Sequence, residues 1–489
     1  MTGSVVNRLR RGFYMDSVAL MRLSRRIGGM TGVENAALMM GTPANKQILT
    51  DAGLLAGEGE DAKGGDLIIA LRAADPAGGR AALDEAEKFL LQPARVSGDD
   101  AARQPRTIRS AIRATRAANL ALISVPGEFA AAEARKAIRR GLNVMLFSDN
   151  VSVDAEAALK REACERGVLM MGPDCGTAII NGVPLAFANN VRQGDIGIIG
   201  ASGTGIQEVS CLISENGGGI SQAIGVGGRD LSATVGGITT LMAFDALDAD
   251  PATHHIVLIS KPPAAAVAQR IIEHIQRSDK ACTVCFIGAG QPSKWENVTF
   301  AATLKHAAES ALSATLPFDA AGSGLPVPAG RSLVRGLYTG GTLAAEARAI
   351  FLAAGQAVGT AGDGDGDTHR IIDLGDDAYT RGRPHPMIDP EIRIAPLKDA
   401  LAEPTVGVVL LDVVLGYGAH PDPAGPLVAA LAGLPTGPAP AIVASVTGTE
   451  ADPQVRSSQV GKLTAAGITV APSNADATGL AIAAIGKRG

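Results

Sequence analysis

Aromatic side chains and excess charge of one sign are both scarce in this chain. Phe, Trp and Tyr together supply 3% of the residues, whereas 60 residues are glycine and alanine, valine, isoleucine and leucine dominate. This composition argues against an all-β sandwich and favours α/β layers with buried parallel strands. The formal net charge of −5 gives no electrostatic reason to expect nucleic acid or an anionic membrane surface as a partner.

Cysteines and long apolar runs are limited as well. The five cysteines are scattered and odd in number, which does not make a disulfide framework. Cys282 and Cys285 have CxxC spacing, but their apolar run is typical of a strand, which places them on opposite faces. No second pair completes a zinc site, so we expect buried free thiols and no metal. Without a signal peptide or a long apolar segment, the sequence predicts a cytoplasmic protein.

The length of the chain exceeds that of one ordinary core. A chain of 489 residues corresponds to about three domains. Hydrophobic residues make up 46% and charged residues 19%, so the chain is globular rather than disordered.

A short apolar strand near the middle of the chain runs through a glycine turn into a helix. The apolar run covers residues 196–199, the turn covers residues 200–205 (Gly-Ala-Ser-Gly-Thr-Gly), and Ile206 to Ile213 has helical spacing. Such a turn directs backbone N–H groups and the positive end of the helix at one point, which suits a phosphate or a carboxylate. Turns of this kind also occur as plain strand-to-helix connections. The candidate phosphate-binding residues here are Ser202, Gly203, Thr204 and Gly205.

The same arrangement occurs again later in the chain. Residues 339–342 (Thr-Gly-Gly-Thr) follow an apolar strand and open a helix from Leu343 to Leu352. Two such turns on separate domains indicate one phosphoryl or acyl-phosphate group held between two helix N-termini, because many N–H donors share its charge. Two unrelated structural turns are the alternative. Gly340, Gly341 and Thr342 complete the candidate phosphate site.

The order of strands and helices predicts three open α/β sheets. Strand, loop and helix alternate between residues 120 and 171, from 196 to 287, and again from 334 to 470, after a linker at 316–331. Ligands in such sheets bind at the carboxyl ends of strands. One of these ends leads to Asp174, Cys175 and Gly176, which are candidate substrate-binding residues or a structural turn. The acidic segment 362–367 is expected to be an exposed loop and not a calcium site.

Several longer motifs carry a resemblance to a known family. They lie at residues 39–46, 172–177, 200–208, 225–232, 337–346, 373–377 and 383–390. Over essentially its whole length the chain resembles FdrA, an acyl-CoA-synthetase-like family related to the ADP-forming succinyl-CoA synthetases. The resemblance implies three doubly wound α/β domains. These are a CoA-binding-like Rossmann domain at 1–190, a flavodoxin-like ligase domain at 191–316, and a flavodoxin-like ligase-CoA-type domain at 330–489. In that wider family the two glycine-turn helices hold a phosphate.

The chain departs from the synthetase pattern in three places. Synthetases of this type carry a phosphorylated histidine after the last strand of the second domain, whereas residues 288–297 here contain none. His306 follows inside an apparent helix and is expected to be a surface or packing residue. No glycine-rich turn for CoA phosphates precedes Gly41, and no nucleotide-binding ATP-grasp domain is recognisable in this sequence.

The resemblance implies one subunit of a multi-subunit oxamate carbamoyltransferase, which forms oxamate and carbamoyl phosphate from oxalurate and phosphate. His385, Arg381 and Arg383 are the candidate catalytic residues, because arginine binds carboxylates and phosphate well. The alternative for them is a rigid proline turn with solvated arginines. Two other functions stay open: an acyl-CoA synthetase subunit that uses CoA with an ATP-grasp partner, and a non-catalytic regulator or scaffold. Expected ligands are phosphate or an acyl or carbamoyl phosphate; CoA stays open, and other subunits are the expected partners.

Overall fold

The computed structural model describes residues 3–13, 15, 17–91, 105, 107–115, 117–289, 297–316, 318, 324–359, 368–380, 384–432 and 439–486. Within these ranges the strands form four sheets, and helices alternate with strands through the chain. The predicted α/β class with several parallel-sheet units is confirmed. The acidic segment 362–367 and the candidates Arg381 and Arg383 lie outside the described residues.

The first unit is a small antiparallel sheet covered by helices. Its strand order is β1-β3-β2, and both pairings are antiparallel. Arg8 and Arg10 share one face of β1 and form ion pairs with Asp84 and Glu87 on the last helix of the unit. The elements are β1 (Ser4–Arg10), α1 (Ser17–Gly28), β2 (Val33–Met40), α2 (Pro43–Asp51), a 3-10 turn (Gly57–Asp61), β3 (Leu67–Ala73) and α3 (Pro76–Leu91).

The second unit is a separate three-stranded parallel sheet. Its order is β4-β5-β6, and none of its strands pairs with the first sheet. Residues 4–171 therefore form two separate sheets, because β1 and β2 pair only with β3 among the described residues, whereas one Rossmann-like sheet was expected for residues 1–190. The elements are α4 (Ile108–Ala114), β4 (Leu120–Ile123), α5 (Gly127–Ile138), β5 (Asn143–Leu146), α6 (Val153–Glu165) and β6 (Met170–Met171).

The third unit is a seven-stranded sheet with an antiparallel hairpin at one edge. Its order is β13-β12-β11-β9-β10-β7-β8, with β7 and β8 antiparallel to their neighbours. Its strands are β7 (Thr177–Ile180), β8 (Val183–Ala186), β9 (Gln193–Gly200), β10 (Ile220–Gly225), β11 (His255–Ser260), β12 (Ala281–Phe286) and β13 (Val298–Phe300). Its helices are α7 (Gly203–Glu215), α8 (Ile238–Ala249), α9 (Ala265–Ile275) and α10 (Leu304–Leu312).

The fourth unit is a six-stranded parallel sheet. Its order is β15-β16-β14-β17-β18-β19, and every residue of the central β17 is buried, as expected for a strand covered on both faces. Its strands are β14 (Leu333–Tyr338), β15 (Val358–Gly359), β16 (His369–Asp373), β17 (Val406–Val414), β18 (Ala441–Thr447) and β19 (Thr469–Ala471). Its helices are α11 (Gly341–Ala353), α12 (Asp377–Thr380), a 3-10 turn (Pro390–Arg393), α13 (Ile394–Ala402), α14 (Ala424–Leu431), α15 (Arg456–Ala465) and α16 (Asn474–Gly486).

The third and fourth units share one hydrophobic core. Ile206 and Val209 of α7 belong to the same buried cluster as Leu343 and Ala347 of α11. This shared core fixes the two helices relative to each other, because close-packed interiors resist displacement. Within the described residues, no helix combines the length and the apolar composition needed to cross a membrane.

Candidate functional site

The two predicted glycine turns meet at the junction of the third and fourth units. Ser202 caps α7, and its hydroxyl accepts a hydrogen bond from Gly205 N at 3.1 Å while also contacting Thr342 Oγ1 on α11. A Cβ atom at Gly340 would lie 2.9 Å from Thr204 Cγ2. Glycine is required at this position because a side chain would collide with the opposite helix start. The structure therefore brings both sets of candidate phosphate-binding residues together.

The first turns of both helices offer N–H groups at this junction. No described residue accepts a backbone hydrogen bond from Gly203, Thr204, Gly341 or Thr342, as expected for the first turn of a helix. Gly203, Thr204 and Gly341 are also partly exposed. These donors can reach an anion from solvent, and the positive ends of two helix dipoles add to their attraction.

A buried carboxylate fixes the second glycine turn. Asp412 at the end of β17 is fully buried and accepts hydrogen bonds from Thr339 N and Gly340 N, each at 2.7 Å. The Arg393 guanidinium lies 3.4 Å from the same carboxylate and donates to Thr339 Oγ1 at 2.8 Å. Burial raises the pKa of Asp412 against the opposing effects of Arg393 and the two N–H donors. This network holds the turn that precedes α11 in one conformation.

Two ionisable side chains reach the start of α11 from the ends of strands in two different sheets. Lys261 follows β11, is exposed, and its Nζ lies 3.4 Å from the position that a Cβ of Gly341 would occupy. Asp373 ends β16, and its Oδ2 would collide with that same Cβ. Burial raises the pKa of Asp373 to about 6, against the lowering effects of Lys261 and of the Gly375 N–H group. The site thus combines a free ammonium group with a carboxyl group whose pKa is near neutrality.

His385 lies beside Asp373, on the other side of Gly375. A Cβ at Gly375 would be 2.6 Å from His385 Nε2 and 3.1 Å from Asp373 Oδ1. Removal from water lowers the pKa of His385 to about 4, so the imidazole is neutral near pH 7. Its Nδ1 accepts a hydrogen bond from Met387 N at 3.2 Å, which leaves the proton on Nε2. His385 therefore presents a hydrogen-bond donor to the site rather than a nucleophilic lone pair.

The predicted substrate-binding residues lie next to the start of α7. Thr177, which directly follows Gly176, has its Oγ1 2.9 Å from the position of a Cβ at Gly203. Asp174 has a positive φ of 56° and its N–H donates to Ser148 O at 3.1 Å. Cys175 is buried, its thiol is 3.3 Å from Gly225 O, and burial raises its pKa to about 12. Cys175 is thus a buried thiol within this turn, and burial disfavours its thiolate form.

Further along the two helices, a pair of buried glutamates was missed from the sequence. Glu208 on α7 accepts from Asn474 N at 3.0 Å, and Glu346 on α11 accepts from Asn474 Nδ2 at 2.7 Å. Burial raises the pKa of both carboxyl groups, that of Glu346 to about 8. Each glutamate is the sixth residue of its helix, a shared spacing that could have drawn attention to the pair.

Lys261 and Asp373 were also missed, although a general signal was available. Both lie at the carboxyl end of a parallel strand, where open α/β sheets bind ligands. The sequence predicts no role for either residue: Lys261 is followed by two prolines, and Asp373 begins the family motif at residues 373–377. Arg381 and Arg383 remain predictions because they lie outside the described residues.

Three family models match different parts of the chain. A family model described as CoA-ligase matches residues 337–484, and one described as CoA binding domain matches residues 191–288. A third, described as AllF, heavy metal-associated domain, matches residues 1–106. Residues 191–288 and 337–484 thus resemble the domains of CoA ligases. The CoA-binding match lies in the third unit, one region later than the expected CoA-binding-like domain at 1–190.

One relative covers nearly the whole chain. YahF of Escherichia coli (strain K12), an uncharacterized protein, is 43% identical over 498 residues, which span 96% of each chain. The chain therefore belongs to the same family as YahF, in agreement with the predicted FdrA-type, acyl-CoA-synthetase-like membership.

More distant relatives match smaller parts. The succinate–CoA ligase [ADP-forming] subunit alpha of Methanothermobacter thermautotrophicus is 25% identical over 36% of this chain and 59% of its own. The ADP-forming sulfoacetate-CoA ligase subunit SauD of Bilophila wadsworthia is 25% identical over 29% of this chain and 50% of its own. A solved acetyl-coenzyme A synthetase from Ca. Korarchaeum cryptofilum aligns with a TM-score of 0.32, at 17% identity over 75% of this chain and 82% of its own. The chain spans only about half to three fifths of the two curated ligase subunits.

The first unit lacks the two side chains that bind borderline metals most often, because residues 1–106 contain no cysteine and no histidine. The same residues include methionines, whose thioether groups can bind soft metals. Among the described residues of the whole chain, no group of three or more potential ligands could hold a metal ion. By contrast, the N–H groups at the start of α7 and the Lys261 ammonium fit a phosphate, which CoA and acyl phosphates both contain.

Proposed function

We propose that this chain holds phosphate, or the phosphoryl end of an acyl or carbamoyl phosphate, between the starts of α7 and α11. The observation that carries the proposal is the convergence of free N–H groups from both helices with the Lys261 ammonium at Gly341. Fixed donors of this kind stabilise a phosphate without reorganising during the reaction. On this basis the chain is a subunit of an enzyme that transfers an acyl or carbamoyl group to or from phosphate.

The reaction that we favour is phosphate-dependent carbamoyl transfer, in which oxalurate and phosphate give oxamate and carbamoyl phosphate. A phosphate held at Gly341 could attack the carbamoyl carbon directly, so no phosphorylated residue is required. The neutral His385, with its proton on Nε2, could donate to an oxygen of the substrate. Arg381 and Arg383 follow α12 in the sequence and are proposed to bind the substrate carboxylate.

An acyl-CoA ligase subunit is the second candidate, and the relatives favour it. Proteins named as ADP-forming CoA ligase subunits match part of the chain, and family models for CoA binding and CoA ligation match two of its regions. This function needs a partner that binds nucleotide, and a group that carries the phosphoryl. His385 is poorly suited to that role because its Nδ1 lone pair is occupied and its Nε2 bears the proton.

The two reactions can be separated in one experiment. The chain is purified with the subunits that accompany it and supplied with oxalurate and phosphate, or with a carboxylic acid, ATP and CoA. Formation of carbamoyl phosphate, abolished by Gly341→Asp, would support the carbamoyl transferase. A thioester formed only with ATP and CoA would support the ligase. If both mixtures remain unchanged while the complex binds phosphate, a non-catalytic role replaces both reactions.

A further inference from the structure

We propose that Asp373 is the residue that moves the proton during acyl or carbamoyl transfer at this site. The inference rests on the proposed function, because it needs a phosphate bound at the start of α11. The geometry supports it directly. Asp373 Oδ2 lies against Gly341, the first residue of α11. Its Oδ1 and His385 Nε2 lie 3.1 Å and 2.6 Å from the position that a Cβ of Gly375 would occupy. Asp373 is thus in reach of both the phosphate and the substrate side of the site.

The chemistry of the step requires such a group. A hydrogen phosphate oxygen forms a bond to the carbamoyl carbon, the C–N bond breaks, and its electron pair stays on the departing nitrogen. The departing nitrogen takes a proton from the Asp373 carboxyl group, and the resulting carboxylate takes the proton that hydrogen phosphate loses. Atoms and charges balance without another reactant. An amide nitrogen is a poor leaving group unless it is protonated, whereas a thiolate or phenolate leaves as a stable anion.

The surroundings of Asp373 set its protonation. Lys261 at the end of β11 faces it and lowers its pKa, as does the Gly375 N–H group. Asp412 at the end of β17 and Asp376 in the following turn raise the pKa, and burial raises it most, to about 6. Tyr379 on α12 also interacts with Asp373; burial and then the charges of Asp376 and Asp373 raise the pKa of Tyr379, so its phenol keeps its proton. His385 is neutral and donates from Nε2, so it cannot accept the proton through Nδ1. Asp373 can therefore exchange a proton near neutral pH.

The test compares two carbamoyl donors in the complex. With oxalurate and phosphate, Asp373→Asn is expected to lower kcat by about 100-fold or more, the scale of general acid–base catalysis. With 4-nitrophenyl carbamate, whose phenolate leaves without a proton, the same variant is expected to lose less than about 3-fold in kcat, since only the proton transfer is removed. The decline of kcat with rising pH that reflects loss of the Asp373 proton should be absent from the variant. Asp399→Asn, the same change at an exposed position on α13, serves as the matched control.

Phosphate binding is measured separately from turnover. Phosphate affinity by titration calorimetry should be retained in Asp373→Asn, and Asp373→Glu, which keeps the carboxyl group, should restore part of kcat and the pH dependence. Equal losses with both donors, or an unchanged kcat with oxalurate, would overturn the role of Asp373 while leaving the phosphate site intact. If the wild-type complex itself forms no carbamoyl phosphate, both this inference and the proposed carbamoyl transfer are overturned.

Discussion

Individual residues at the start of α11 show what a local sequence pattern can and cannot predict. Gly341 and Thr342 were predicted as phosphate ligands because the strand, the turn and the helix are adjacent in the chain. Lys261 comes from another sheet, and only the packing of the third unit against the fourth places it near Gly341. The spacing of residues near Gly341 cannot predict the contact with Lys261, because the two residues are distant in sequence.

Lys261→Met tests the contribution of the ammonium group to anion binding. We expect the affinity for phosphate to fall by about 10- to 100-fold, since a hydrogen bond to a charged group contributes about 1.5–3 kcal/mol. The loss should shrink at high salt, because Lys261 is exposed and its attraction is screened. Titration calorimetry measures both effects. Lys398→Met, at an exposed position on α13, should leave the affinity unchanged; an equal loss there would indicate a general effect of charge.

At the scale of elements, most strands and helices follow from apolar periodicity, but β1 does not. The structure makes Ser4–Arg10 an edge strand, although this segment lacks a long apolar run and its end is rich in arginine. Arg8 and Arg10 of this strand form ion pairs with acidic residues of α3, which balance their charge. The edge hairpin of β7 and β8 was missed as well, because its short strands lack a long apolar run.

The contact between α7, α11 and α16 should depend on pH. Burial raises the folded-state pKa of Glu346 to about 8 from an ordinary value of 4.5, so the folded chain holds a proton that the unfolded chain has lost between these values. The stabilising contribution is complete below pH 4.5 and is lost as pH rises through about 8. One such group changes the free energy of unfolding by at most about 1.4 kcal/mol per pH unit.

Glu346→Gln replaces the titratable carboxyl group with a neutral amide, so the variant does not lose this proton as pH rises. The free energy of unfolding of the variant, measured in urea from pH 5 to 8, should fall less steeply with pH than that of the wild type. Glu391→Gln, at an exposed position in the 3-10 turn, is the control and should keep the wild-type slope. Parallel pH profiles for Glu346→Gln and the wild type would show that Glu346 does not control this dependence.

For the whole molecule, the sequence predicted a series of α/β units but not their number or their junctions. Residues 1–190 were expected to form one domain, and the boundaries near 190 and between 316 and 330 stay predictions. The first unit touches the fourth through Arg25, which forms an ion pair with Asp389 at 3.3 Å, and through Arg22, which donates to Gly418 O at 3.1 Å. Such contacts depend on the tertiary arrangement and leave no periodic signal in either segment.

The junction between the second and third units depends on a buried charge cluster. Lys160 on α6 is fully buried, and its Nζ lies 2.7 Å from Asp230 Oδ1 and 2.9 Å from Glu156 Oε1. Lys160→Met would leave the buried Asp230 without its cation and Glu156 with Arg229 alone, a change that costs about 3–5 kcal/mol. We therefore expect the calorimetric unfolding midpoint to fall by about 10 °C. Lys462→Met breaks an exposed pair with Asp422 and should cost less than about 1 kcal/mol. Similar midpoints for the two variants would contradict a structural role for the cluster.

The central claim is that one phosphate is held between the starts of α7 and α11. The most direct measurement is calorimetric titration of the purified chain with phosphate, in the wild type and in two variants, Ser202→Asp and Gly341→Asp. Each variant puts a carboxylate into a different half of the same site. The account predicts one phosphate per wild-type chain and no measurable binding to either variant, with both variants folded. Binding that is absent from the wild type, or that survives either substitution, would contradict it.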